Sequence, residues 1–147
     1  VDLEELVARE SIRDLVARYN SNGDSGRFDE VLELFAPDAV MDTDGEIHDG
    51  RHAIRAMFEA AAATVAAHGA GRRYIRHHTS TLQIDLLSPS TARSRCYYQV
   101  LTPEGLDHWG RYLDEYAVVE GRWVFSRRRE ILDGLVPGGW AASATGA

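Results

Sequence analysis

The chain opens on an apolar pattern of helical period. Leu3, Leu6 and Val7, then Ile12, Leu15, Val16 and Tyr19, recur three or four positions apart across residues 2 to 21, which predicts a long amphipathic helix. Asn22 and Gly23 suit its end, because both accept the left-handed backbone that closes a helix C-terminus, and Asp24 then falls just past it. A short second helix is expected through Phe28 to Phe35, with Pro37 preventing continuation and a strand beginning at Ala39-Val40-Met41. After an Asp44-Gly45 turn, Asp49-Gly50-Arg51 leads into an alanine-rich third helix over Ala53 to Ala67. Ile54, Met57, Phe58 and Ala61 share one of its faces, and Gly69-Ala70-Gly71 follow it.

From Arg72 onward the period falls to two. Tyr74 to Leu87, Thr91 to Thr102, His108 to Val119 and Arg122 to Leu132 are rich in β-branched and aromatic residues, with Ser88-Pro89-Ser90, Pro103-Glu104-Gly105 and Glu120-Gly121 between them. These predict four long antiparallel strands. Helices first and a strand meander afterwards make an α+β fold, with the N-terminal helices packed on a curved antiparallel sheet. The 147 residues suit one domain over 1–137, with 138–147 as a flexible C-terminal tail.

Composition narrows the partners. With 44% apolar and 27% charged residues the chain has the make-up of a soluble globular domain. A net charge of −7 and no lysine argue against a nucleic-acid partner. Cys96 is the single cysteine, so no intramolecular disulfide can form and a reducing cytoplasm is the expected compartment. The N-terminal stretch is acidic where a signal peptide is basic, and no apolar run reaches membrane-spanning length, so no membrane partner is expected.

Gly23-Asp24-Ser25-Gly26 matches the nucleophile loop of chymotrypsin-type proteases, but Arg27 stands where that signature has another glycine and a helix precedes it. Ser25 is therefore expected to be a loop or capping residue, and Asp24 taken by itself reads as a loop acid in the same turn. A curved sheet wrapped on a long helix leaves a conical cavity. The polar candidates for it are Asp24, Tyr19, His77 and His78, with Tyr98, His108, Arg128 and Glu130 among those on the later strands. His48 and His52 have no clustered acids or cysteines, and the glycine-rich phosphate and dinucleotide signatures are missing, so neither a metal nor a cofactor is implied.

Several pieces in order carry a resemblance: Ala8-Arg9-Glu10-Ser11-Ile12-Arg13-Asp14-Leu15 leading to Tyr19 and Asp24, Leu34-Phe35-Ala36-Pro37-Asp38-Ala39, Gly50-Arg51, Arg76-His77-His78-Thr79, His108-Trp109-Gly110-Arg111-Tyr112 and Gly121-Arg122-Trp123-Val124-Phe125. Over residues 3 to 133 the chain resembles the SnoaL-like branch of the nuclear transport factor 2 (NTF2-like) superfamily. It is most similar to the group containing scytalone dehydratase, hexachlorocyclohexane dehydrochlorinase and bile-acid 7α-dehydratase. The resemblance implies a cone-shaped, cystatin-like α+β barrel and a catalytic dyad of Asp24 with a histidine, His77 ahead of the adjacent His78 without fixing which of the two points inward, and it matches Tyr19 to a catalytic tyrosine. Strict alternation with Leu82, Ile84 and Leu86 instead puts His78 on the inner face, unless a bulge intervenes.

A carboxylate beside a neutral imidazole orients the ring and stabilises the cation formed when the imidazole takes a proton. That suits a cofactor-independent lyase or isomerase acting on a hydrophobic cyclic metabolite. Phe58, Tyr98 and His108 would contact the substrate, a tyrosine would stabilise developing negative charge, and Arg128 would serve an anionic group. A SnoaL-type polyketide cyclase would instead use one carboxylate on a later strand, such as Asp107, Asp114 or Glu115. A non-catalytic binding or assembly module is the reading from another class. An exposed aromatic sheet face implies a homodimer or homotrimer.

Overall fold

The computed structural model describes residues 1–69, 71 and 73–146. Helix α1 (Leu3–Asp24) starts on the Asp2 side chain, which accepts the Glu5 N–H at 2.8 Å. Its inward stripe is Ala8, Ile12, Leu15, Val16, Tyr19 and Asn20. Leu3, Leu6 and Val7 continue the predicted period but are exposed, because the sheet meets the helix only from Ala8 onward. The fully buried Ile12 contributes roughly 1.5–3 kcal/mol. The helix runs through Asn22 and Gly23, so Asp24 is its last residue, and the Ser25 hydroxyl donates to Ser21 O at 2.7 Å as a capping group.

Helix α2 (Phe28–Leu32) is shorter than its apolar pattern suggests, and strand β1 (Phe35–Thr43) already begins at Phe35. Pro37 does not precede this strand but sits inside it. Its missing N–H coincides with a break in pairing between Phe35 and Val40. Strand β2 (Glu46–Asp49) hairpins onto β1, and α3 (Arg51–Ala67) turns Ile54 inward with Met57 and Phe58 partly covered. Gly69 and Gly71 have positive φ after its end, while Ala70 and Arg72 lie outside the described residues.

The long strands are β3 (Arg76–Ser88), β4 (Thr91–Thr102), β5 (Gly105–Val119) and β6 (Arg122–Leu135). They form one six-stranded sheet ordered β2-β1-β6-β5-β4-β3. All neighbours are antiparallel except β1 and β6, which run parallel, so the sheet is mixed where the meander alone reads as antiparallel. Register shifts recur in every long pairing, each adding local bend and twist, and the sheet wraps around α1. Its concave side buries Tyr98, Tyr112, Tyr116 and Phe125 against Ile12, Tyr19 and Phe35.

The segment after Gly138 does not match the expected loose tail. Residues Trp140–Thr145 form α4, with Ala141 and Ala142 buried, and Asp107 accepts the N–H groups of Trp140 and Ala141. Two glycines precede this segment and its six residues are too few to hold a helix alone, so it depends on a carboxylate more than thirty residues away.

Candidate functional site

Asp24 lies at the C-terminal end of α1, where the helix dipole disfavours a carboxylate. Two donors from one residue offset that. The His77 backbone N–H donates to Asp24 Oδ2 at 2.8 Å, and Nδ1 of the same histidine lies 2.6 Å from Oδ1. The backbone donor is free to do so because β3 is the sheet edge, with no strand beyond it to take the N–H. The pair retains partial solvent contact, with His77 at 18% and Asp24 at 10% side-chain exposure.

Which histidine faces inward is decided by a bulge. Between Ser80 and Gln83, β3 carries one residue more than β4, and Thr81 takes φ +59°. The extra residue reverses the alternation, so His77 shares the inner face with Leu82, Ile84 and Leu86 while His78 is exposed on the outer one.

A second Asp–His pair stands close by. His108 Nδ1 lies 2.7 Å from Asp107 Oδ2, and the His108 ring is 6.5 Å from that of His77, nearly perpendicular to it. Burial lowers the His108 pKa, partly opposed by Asp107, so this imidazole is neutral at pH 7. Among the described residues no group hydrogen-bonds to Nε2 of either ring. Tyr98 joins them, its ring 6.3 Å from His77 and 6.0 Å from His108, and its hydroxyl donates to Glu130 Oε1 at 3.1 Å. Burial and the Glu130 charge push the Tyr98 phenol far above its usual pKa and keep it protonated.

Deeper in the cone the space expected to be a cavity is largely filled. Tyr98 stacks on Tyr112 at 4.6 Å, and the fully buried Arg128 lies over Tyr112 at 3.7 Å and Tyr19 at 4.1 Å. Arg128 is held in two-pronged fashion by Asp114, Nε to Oδ1 at 2.8 Å and Nη2 to Oδ2 at 3.0 Å. Burial disfavours its charge, but Asp114 outweighs that and keeps it cationic. Among the described residues two buried side-chain polar atoms have no partner, Arg128 Nη1 and Asn20 Oδ1. Each orphan costs about 1–3 kcal/mol unless a ligand or water meets it.

A SnoaL-like domain profile matches residues 4–129. The chain belongs to the SnoaL-like domain family. It shares the NTF2-like, cystatin-like fold of a Novosphingobium aromaticivorans protein at 26% identity and TM-score 0.72, covering 97% of this chain and 96% of that one. A proposed scytalone dehydratase from the same species is 22% identical with TM-score 0.78, over 90% and 89% of the two chains. LinA is 18% identical with TM-score 0.80, over 92% of each. No curated protein matches the sequence.

In this SnoaL-like domain the site candidates divide. Asp24, His77, Tyr98 and His108 come together. Tyr19 is buried beneath Arg128 with its hydroxyl 3.7 Å from Met41 Sδ, and its place is in the packed interior. Phe58 packs on Tyr19 and Phe28 and flanks Gly23, next to Asp24. His48 bonds Thr43 at 2.8 Å, and no metal-ligand cluster occurs among the described residues. Glu130 is among the polar cavity candidates and Asn20 is not, its only signal being a polar side chain inside an apolar helix stripe, one turn before Asp24. Two surface clefts, of ≈ 370 and ≈ 310 Å³, lie at the α1 N-terminus and beside Pro37, away from the dyad. No helix is long and apolar enough to cross a membrane among the described residues.

Proposed function

We propose that this domain is a cofactor-independent lyase or isomerase of the dehydratase or dehydrohalogenase type, with His77 as general base. The observation that carries the proposal is the Asp24–His77 pair at 2.6 Å, with Nε2 unoccupied. With its Nδ1 proton directed at Asp24, the neutral ring presents a lone pair at Nε2. That lone pair takes a proton from a substrate carbon, the C–H electrons become a C=C bond, and the leaving group departs from the next carbon with its bonding pair. The imidazolium formed is stabilised by Asp24. Tyr98 and His108 border the same space and suit a hydroxyl or carbonyl on the substrate. The rings of Tyr98, His108 and Trp140 clustered beside the dyad support a hydrophobic cyclic substrate. The likeness to a proposed scytalone dehydratase is consistent with this chemistry.

The cyclase reading needs a free carboxylate on a later strand. Asp114 is tied to Arg128, Asp107 to His108 and α4, and Glu115 is exposed on the outer face. None of the three carboxylates named for the cyclase is therefore free in the cone, which supports the dyad, while Glu130 on β6 is engaged by the Tyr98 hydroxyl. The outer face also exposes Tyr97 and Trp109, which supports a homo-oligomer, to be checked by light scattering.

The test is a panel of cyclic β-hydroxy and β-halo carbonyl compounds and enones, followed for elimination and for deuterium uptake at the acidic carbon. Asp24→Ala and His77→Ala are each expected to lower turnover on the order of 10²–10⁴-fold. Turnover surviving both substitutions overturns the proposal.

A further inference from the structure

Asp107 has more partners than a helix cap requires. It sits at a register shift, where β5 passes from Leu106 to His108 while β4 moves only from Leu101 to Val100. The extra residue is Asp107, and the bulge lets two neighbours in sequence turn to the same side, both almost fully buried. One carboxylate then serves two structures. Oδ1 accepts the Trp140 N–H at 2.6 Å, and Oδ2 accepts the Ala141 N–H at 3.1 Å and faces His108 Nδ1 at 2.7 Å.

The contact is closed from the other side as well. A Cβ at Gly139 would collide with Asp107 Oδ1, so glycine alone permits the approach of α4. The Trp140 ring packs against His108 at 5.6 Å, and its indole N–H donates to Thr64 on α3 at 3.1 Å. The remaining polar groups around His108 are His77 from β3, Tyr98 from β4 and the Glu130 charge from β6.

We propose that Asp107 is a positioning residue that holds His108 with its proton on Nδ1 and its lone pair on Nε2, and that it does so only while α4 is seated. The inference rests on the reading of the space beside His77 as the substrate site, since it says what that site offers: a second acceptor for a substrate hydroxyl. With α4 displaced, the carboxylate loses two N–H donors. It then draws on His108 alone, and the ring gains a proton or turns its lone pair away. The last helix thereby sets the chemistry of a ring on β5.

The experiment is long-range ¹H–¹⁵N correlation on the full chain carrying labelled histidine, with His108→Gln assigning the signals, together with amide exchange at Trp140 and Ala141. The wild type is expected to show neutral His108 with the proton on Nδ1. Asp107→Asn leaves one acceptor oxygen for three N–H donors and is expected to shift part of the His108 proton to Nε2 and to speed exchange at one or both amides at least about tenfold. Gly139→Ala leaves the carboxylate intact and is expected to alter the His108 pattern through α4 alone, so the test survives if Asp107→Asn does not fold. A wild-type proton on Nε2 overturns the proposal. So does a Gly139→Ala protein with faster exchange at Trp140 and Ala141 but unchanged His108, or unchanged exchange in both variants. All of this is read without substrate, so an inactive protein with the expected His108 pattern would sink the elimination chemistry and leave the Asp107 assignment standing.

Discussion

Two carboxylates on the inner side of the cone have opposite settings. Asp114 is fully buried, and both its oxygens are taken by an equally buried Arg128 that cannot give up its charge. Asp24 keeps one-tenth of its side chain in contact with solvent and is paired with an imidazole that is itself partly exposed. The first pair is charge-compensated and permanent, and changing either member leaves an ion buried alone. The second has an unoccupied nitrogen and a partner able to steady a positive charge there. A similar contact distance therefore serves packing in one place and, on the function proposed above, proton transfer in the other, and accessibility separates the two.

That contrast is sharpest at His77. His77→Ala is expected to lower turnover by about 10²–10⁴-fold while shifting the urea midpoint little, since the ring is partly solvated. A large stability loss with retained turnover would reverse the assignment of the two pairs. Arg128→Met is next. It strands Asp114 among aromatic rings, and denaturant unfolding is expected to show a loss of about 3–5 kcal/mol. Adding Asp114→Leu to it should recover much of the loss by removing the lone charge.

Gly110→Ala tests the layer between the pairs. Its Cβ would meet the Ile131 carbonyl and lie 2.7 Å from the Tyr98 hydroxyl, so Tyr98 must move away from Glu130 and from the Tyr112 stack. The cost expected from thermal unfolding is about 1–3 kcal/mol. Turnover should drop with it if Tyr98 contacts substrate.

The smallest effect is on pH dependence. Burial depresses the folded His108 pKa below the ordinary 6.5, so on acidification the unfolded chain takes up this proton first. Its contribution to stability is therefore present above the unfolded pKa and is lost as pH falls through it toward the folded value. Comparing urea midpoints above and below pH 6.5 for wild type and His108→Gln should show a shallower pH dependence in the variant. Equal slopes would mean that the ring is not held neutral.

What the amino-acid order determined by itself is local. The periods of 3.6 and 2 predict the helices and long strands because each depends on residues a few positions apart. Even there, Leu3, Leu6 and Val7 kept the helical period without being buried, since a helix cannot specify where the sheet under it ends. The ordered motifs also pointed to the fold and to Asp24.

The tertiary structure decided the rest. Asp24 meets His77 across 53 positions because the edge strand has an unclaimed N–H to offer. His77, not His78, faces inward because one extra residue at Thr81 reverses the alternation, a shift that simple two-residue counting cannot see. The last helix stands because Asp107 supplies its cap from another strand. Each of these depends on a hydrogen bond between distant segments, whose partner exists only once the sheet has closed around α1.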